Sequence, residues 1–449
     1  MGLKLLLVCG LALLMSIPAL FVFALLSDRT NRAEAVSQEL GDLVGGPQTF
    51  LGPVVAVPYF VPAGEEREAP ERGVYVIFPS TGEADVVSTS EVRSRSLFKT
   101  PVYKAEVTFT ARFDLTDAAA KAPLGAVLDW PRAEILVGAS DARGAQADVK
   151  LTAAGQPLAV TPAATLSEQA LPQEVGKVPT RNGVMKFFGA PAGGLATSGA
   201  QFEASAQMPF SGAERLAILA FAKTTTVKAK GDWPHPSFDG GFLPVSREVT
   251  PTGFAATWTV PFIARGVPAQ GPAETLSRLG QTALGVSFVQ PVNPYQSVAR
   301  SLKYALMFVG LVFLAYFLFE TMQGRRVHAA QYVLIGLAQI VFYLLLLSIA
   351  ERIGFDRAFL IAAGATVGLI SAYAGWVFES RRQGFIALAS FTALYGLIYV
   401  LMRLEDLALL VGALASFAAI AAVMYFTRRI DWYGVAAPND PIAAPKESV

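Results

Sequence analysis

The strongest constraint on this chain is the order of apolar runs and arginines after residue 300. Five apolar runs follow one another there, at about 302–319, 329–350, 358–378, 385–402 and 407–426. Each is close to the length that crosses roughly 30 Å of hydrocarbon as a helix. Arginine pairs stand in every second gap: Arg325 with Arg326, Arg381 with Arg382, and Arg428 with Arg429. The gaps between, 351–357 and 403–406, are mixed in sign. Short loops rich in Arg and Lys stay in the cytoplasm, so this alternation predicts a membrane bundle with the arginine gaps and the tail inside.

A sixth run, 5–26, is free of charge and lies between Lys4 and the Asp28-Arg29 pair. A cleaved signal peptide is the alternative, with Val22-Phe23-Ala24 as its site. The run exceeds the roughly 7–15 residues of a secretory apolar region, which argues for a retained anchor. Six spans put both termini in the cytoplasm and the long segment before residue 300 in the periplasm. Tyr304, Tyr332, Trp376, Tyr425, Trp432 and Tyr433 fall near span ends, where an aromatic belt is expected.

Composition narrows the function classes. Charged residues are only 16%, against about 25% in soluble domains, and the net charge of +1 provides no field for nucleic acid. One cysteine, Cys9, excludes an intrachain disulfide. Two histidines, His235 and His328, are too few for a multi-His metal site in a monomer. Neither a Walker nor a dinucleotide glycine pattern occurs, so no cofactor is expected.

The span interiors hold almost no charge, although one Asp, Lys or Arg at a helix centre costs only about 2.5–3.5 kcal/mol on insertion scales. Gln339 lies deep in a span and Glu320 at a span edge. For Gln339 the plain reading is an interhelical hydrogen bond, the other a part in transport. Gly364, Gly368 and Ala372 recur every fourth residue and predict a face for close helix packing.

The segment before the bundle reads differently. Val36, Leu40, Leu43 and Val44 share one helical stripe, closed by Gly45-Gly46-Pro47. Strand signals follow at 53–60, 74–78, 102–113, 134–140, 148–153, 202–208, 224–232, 253–260 and 286–292. In 102–113, Tyr103, Ala105, Val107, Phe109, Ala111 and Phe113 alternate with polar residues, the period of a half-buried strand. The expectation is an α+β membrane protein: an anchor at 1–27, a mainly antiparallel, sandwich-like periplasmic domain at 28–300, a five-helix bundle at 301–427 and a cytoplasmic tail at 428–449. The sandwich is expected in two halves joined near 176–199.

Chemistry is sparse. Ser96-Leu97-Phe98-Lys99 has the S-x-x-K spacing without its partner motifs, and His235 has no G-x-S-x-G elbow to serve. Asp232 and Asp239 could do acid–base work only if the fold joined them. No catalytic or metal residue is assigned. Two motifs remain as candidates. Trp233-Pro234-His235-Pro236-Ser237-Phe238 is either a rigid loop presenting its rings to a glycan or protein, or a fixed turn that buries them. Glu320, His328, Gln331 and Tyr332 surround a cytoplasmic turn and suit helix-end electrostatics or a signalling contact.

The order of short motifs resembles one family over nearly the whole chain. Gly46-Pro47-Gln48 with Gly52-Pro53, the Trp233 to Phe238 segment with Phe242-Leu243-Pro244 and Arg247-Glu248-Val249, Pro291-Val292-Asn293-Pro294-Tyr295, Phe319-Glu320-Thr321, His328, Gln331-Tyr332, and Arg429-Ile430-Asp431-Trp432-Tyr433 together resemble the CreD family of bacterial inner-membrane proteins. The resemblance implies a role in cell-envelope integrity under two-component control, with toxin tolerance, stress response and links to β-lactam response. It implies no catalytic residues. The expected function is therefore non-enzymatic: binding of an envelope component or partner protein from a bilayer-anchored platform. A transporter or lipid- or glycan-handling role is the alternative, and a periplasmic hydrolase the third.

Overall fold

The computed structural model describes residues 2–63, 70–95, 97–118, 121–162, 179–180, 183–197, 199–290, 294–323, 327–403 and 408–428. The chain divides into two compact units, a helical one formed by residues 1–32 and 292–449 and a β-rich one formed by residues 33–291.

The helical unit opens with α1 (Gly2–Leu14) and α2 (Ser16–Asp42). The interruption at Met15 follows from Pro18, whose ring nitrogen has no hydrogen for the Leu14 carbonyl. Bonds from Met15 N to Leu11 O (3.1 Å) and Ala19 N to Met15 O (3.2 Å) carry the helix through. The expected anchor and the short amphipathic helix after it are thus one run, from Lys4 to Asp42. Arg29 is a strong helix former, and Asp28 costs no more than about 0.7 kcal/mol relative to Ala, too little to break it. One seam of this run packs inward: Val8, Met15, Val22 and Leu26 are buried, while Leu6, Leu13, Leu20 and Phe21 are exposed. The seven-residue spacing of the first three is that of a coiled-coil seam. Met15 lies so close over Gly336 that a Cβ there would meet its Sδ at 2.6 Å.

The remaining helices are α4 (Pro294–Lys303), α5 (Ala305–Gln323), α6 (Ala329–Ile353), α7 (Phe355–Val377), α8 (Arg381–Arg403) and α9 (Ala408–Thr427), with the single turn α3 (Phe262–Arg265) in the β-rich unit. Among the described residues, four helices are long and apolar enough to cross a membrane: the first run, α6, α7 and α8. A fifth span results if α4 and α5, bent by 52°, count as one. On that count the run expected to begin near residue 302 starts earlier, at Tyr295, as a broken pair. The 20 residues of α9 carry no charge.

The small-residue face falls elsewhere than expected. Gly364 and Gly368 have nothing within 4 Å of where a Cβ would stand, and both are exposed, as is Ala372. The buried face of α7 carries Ala358, Ala362, Thr366, Ile370 and Ala374. That stripe is offset by two residues, about 200°, from the glycine stripe. Helices α7 and α8 approach instead where a Cβ on Gly384 would stand 3.4 Å from the Gly375 Cα.

The β-rich unit is built from two large sheets. The ten-stranded sheet runs β16 (Pro236–Gly240), β20 (Leu284–Phe288), β14 (Arg215–Ile218), β1 (Gln48–Val61), β6 (Glu134–Ala139), β12 (Lys186–Pro191) and β9 (Thr161–Pro162), with β2 (Glu71–Ile77), β5 (Val127–Leu128) and β19 (Gln270–Pro272) attached beside β1 and β2. The eight-stranded sheet runs β17 (Ser246–Thr250), β18 (Gly253–Val260), β15 (Thr224–Gly231), β3 (Thr81–Arg95), β4 (Phe98–Asp114), β13 (Gln201–Ala213), β7 (Lys150–Ala153) and β8 (Gln156–Leu158). A two-residue pair, β10 (Pro179–Thr180) with β11 (Gly183–Val184), stands apart.

Two pairings, β1 with β14 and β3 with β15, are parallel, so the sheets are mixed rather than purely antiparallel. Each sheet also takes strands from the whole length of the unit. This replaces the expected division into two sequential halves with one interleaved core. Rings from both sheets meet in that core: Phe50 and Phe210 at 5.3 Å, Tyr103 and Phe288 at 4.8 Å. Along β4 the alternating set from Tyr103 to Phe113 is buried.

Candidate functional site

In the helical unit, Glu320 near the end of α5 is buried at 6% exposure and fully used. It accepts from Lys4 Nζ, from the Val327 backbone N–H at 2.9 Å and from Tyr332 Oη at 2.9 Å. Lys4 also donates to the Val327 carbonyl at 3.0 Å. His328 caps α6: its Nδ1 accepts from Ala330 N at 3.2 Å, while the Gln331 side chain accepts from His328 N at 3.0 Å, a reciprocal capping box. Of the four residues singled out here, Glu320 and Tyr332 meet directly, whereas His328 and Gln331 form the adjoining cap. Lys4 was not foreseen as their partner, because 316 residues separate it from Glu320.

A second polar group ties other helix ends. Glu351 accepts from Tyr295 Oη at 3.1 Å and lies 3.9 Å from Arg29. Asp356 pairs with Arg403 and accepts from Tyr399 Oη at 3.1 Å. Arg381 and Arg382 open α8, and Arg428 stacks 4.2 Å over the Tyr425 ring. Arg325, Arg326 and Arg429 lie outside the described residues. Between the ends, Gln339 Oε1, Tyr316 Oη and Ser371 Oγ are buried without a hydrogen-bond partner among the described residues.

In the β-rich unit, the Trp233 segment is a fixed turn leading into an edge strand. Trp233 is 9% exposed, and its Nε1 lies 3.1 Å from the carbonyls of His235 and Val289. Its ring meets Phe288 at 6.1 Å. Phe238 packs against Phe254 and Trp258. The rings thus serve the core. Pro234 and Pro236 are half-buried, and His235 is exposed at the surface. Asp232 and Asp239 do not converge: Asp232 binds Ser90, whereas Asp239 binds Arg215 and Ser287. Ser96 lies outside the described residues. No cluster of three metal-ligating side chains occurs among the described residues.

The feature that the sequence did not announce is a cleft of about 400 Å³ beside the end of α2. Strand register builds its floor. Thr89 of β3 and Ser211 of β13 both pair with Lys104 of β4, which lays the three across one row. In the next rows Val102 and Thr100 are covered by the end of α2, which is fastened by Thr100 Oγ1 to Ser37 Oγ (3.0 Å) and Arg95 to Glu39 (2.6 Å). Leu43 and Val44 then form one wall, Arg143 and Gln146 another.

A buried network holds these walls in place. Gln48, 0% exposed, donates to Gly45 O at 3.0 Å and Asp141 O at 2.9 Å, and its Oε1 lies 3.0 Å from Ser140 Oγ. Ser211 Oγ donates to Val44 O at 2.9 Å and accepts from Gln146 Nε2 at 3.1 Å. Satisfied buried networks of this kind rigidify their surroundings. Gly45 at φ +95° and Gly46 at φ +60° make the turn that L side chains resist. The Gly46-Pro47-Gln48 motif therefore shapes the cleft; a buried glutamine after Gly-Pro was the available signal. Partial burial works to raise the Asp141 pKa, but Arg143 overrides it and holds the group below its ordinary value.

Comparison with known proteins places this architecture. The family described as "Inner membrane protein CreD" matches residues 1–433. The chain is 27% identical over 441 residues to "Inner membrane protein CreD" of Escherichia coli (strain K12), covering 96% of this chain and 93% of that protein. With a match that runs through both units, the chain belongs to the CreD family of inner membrane proteins.

Proposed function

We propose that this chain is a six-span, non-enzymatic platform that supports envelope integrity and tolerance of envelope stress, with its β-rich unit binding an envelope component or partner protein in the periplasm. The observation that carries this reading is how the two units use polar groups. The carboxylates Glu320, Glu351 and Asp356 of the bundle are engaged at helix ends, with Glu320 bonded three times over, whereas the cleft of the β-rich unit is lined by Lys104, which pairs with no carboxylate among the described residues. The uncharged α9 supplies the sixth span. The arginines at the start of α8 and after α9 then face the cytoplasm. The packed seam from Val8 to Leu26 and the Lys4–Glu320 pair favour a retained anchor over a cleaved one.

The test is loss and restoration in cells. Deleting the gene should sensitise the host to envelope-active agents, β-lactams included, and the intact chain should restore tolerance. Equal tolerance with and without the chain contradicts the reading.

A second reading, transport or lipid handling, is favoured by the unpartnered Gln339, Tyr316 and Ser371 atoms inside the bundle. Gln339→Leu tests it. A transporter loses function with this change, whereas a structural bundle keeps it.

A further inference from the structure

We infer that the cleft beside α2 receives a small anionic sugar, a carboxylate or phosphate carried on a hydroxyl-bearing ring. This deepens the binding role proposed above and rests on it. The cleft's volume of about 400 Å³ lies within the roughly 300–1,000 Å³ of small-molecule sites. Three cations line it, and their charges are answered unequally. Arg93 is paired with Glu91 at 2.8 Å, and Arg143 is gripped by Asp141 through Nε and Nη2 at 2.6–3.1 Å. Lys104 is exposed and pairs with no carboxylate among the described residues. It is the free positive charge at the centre of the floor.

The groups beside it are hydroxyls. Register sets Thr89 on one side of Lys104 and Ser211 on the other. Ser211 already has its donor and acceptor engaged, so it holds the wall, while Thr89 is exposed and free to meet a ligand hydroxyl. Leu43, 74% exposed, offers an apolar edge of the kind on which the flat face of a sugar ring packs. Because the walls are fixed by the Gln48 network, the site is formed before the ligand arrives, which lowers the entropy lost on binding. A neutral apolar ligand would leave Lys104 desolvated and unpaired, and a cation would meet it directly. An anion bearing hydroxyls satisfies both the lysine and the threonine.

The experiment uses the full chain in nanodiscs, titrated by calorimetry with glucuronate, glucose 6-phosphate and glucose. At least one acid should bind saturably and about tenfold or more tightly than glucose, the change expected from roughly one charge-assisted hydrogen bond. Which acid wins separates a carboxylate-bearing glycan from a phosphorylated one. Lys104→Gln should remove that preference, and Thr89→Val should weaken binding a few-fold. Lys150→Gln, on β7 and outside the lining of the cleft, should leave binding unchanged. Matching thermal unfolding curves for the Lys104→Gln and parent chains exclude misfolding. Saturable binding that survives Lys104→Gln, equal affinity for glucose, or no acid binding at all would each overturn the inference. Its failure is separable from that of the broader role. A Lys104→Gln chain that still restores tolerance to deleted cells removes the cleft alone, whereas deletion without a phenotype removes the broader role whatever the sugars do.

Discussion

The two units bury polar groups for different ends. In the helical unit the paired carboxylates stand at helix termini, where Lys4, Glu320, Val327 and Tyr332 close on one another, and Tyr295 and Glu351 meet elsewhere. In the β-rich unit they thread between loops: Gln48, Ser140 and Ser211 join the end of α2 to the 141–146 turn. A bundle in lipid gains little from apolar contact alone, since the surrounding tails are equally apolar, and polar pairs fix which ends meet. A β-unit in water already has a driving force for burial. Its polar network fixes loop geometry, and loop geometry is what makes a cleft.

The largest expected effect strikes the bundle. Glu320→Ala leaves Lys4, Tyr332 and the Val327 N–H without their shared acceptor and should cost about 3 kcal/mol, read as loss of thermal stability in detergent. A change within about 0.5 kcal/mol, the scale of an ordinary surface substitution, would mean that the clamp holds nothing. Next is Gln48→Ala in the β-rich unit, which strands the Gly45 and Asp141 carbonyls that its amide bonds. We expect a loss of about 2–3 kcal/mol together with loss of ligand binding in the cleft. If stability falls but binding persists, the network supports the fold and not the cleft.

Helix packing gives a sharper pair. Gly384→Val, against the Gly375 backbone, should cost about 1–3 kcal/mol by overpacking, whereas Gly364→Val, with open space around it, should be near neutral. Equal costs would mean that the outward stripe is buried against something beyond this chain.

The smallest effect concerns Arg265. It is 3% exposed, its three guanidinium nitrogens are unpartnered, and it stands 4.2 Å over the Phe78 ring. Burial pushes its pKa down to about 10, so it remains charged at neutral pH and weighs against the fold. Arg265→Met should be neutral or stabilising by about 1 kcal/mol. The sign follows from linkage: above about pH 10 the unfolded chain keeps the proton that the folded one releases, so the parent gains stability as pH rises further and the advantage of the variant shrinks. A variant less stable than the parent at neutral pH would show that the guanidinium is held by more than the ring.

How far the residues alone reveal this structure depends on the range of the interaction. The alternation in β4 and the apolar runs are local, and they read directly. Pairing is not local. Nothing near β3 or β15 marks their parallel register, and nothing near Glu320 points to Lys4. A small-residue period identifies a face but not its direction, so Gly364 and Gly368 read as packing residues although they look outward. The Trp233 segment has two readings, and burial of Trp233 with packing of the half-buried Phe238 against the core favours the turn. The cleft draws on several separated segments, which no single motif could display.

The account rests on the β-rich unit facing the envelope. In a Cys9→Ser background, which removes the chain's one cysteine, Leu243→Cys places a thiol at a position 73% exposed in that unit. Cells with a permeabilised outer membrane and an intact inner one would be treated with a membrane-impermeant maleimide. The account predicts full labelling before the inner membrane is opened; labelling only after it is opened would contradict it.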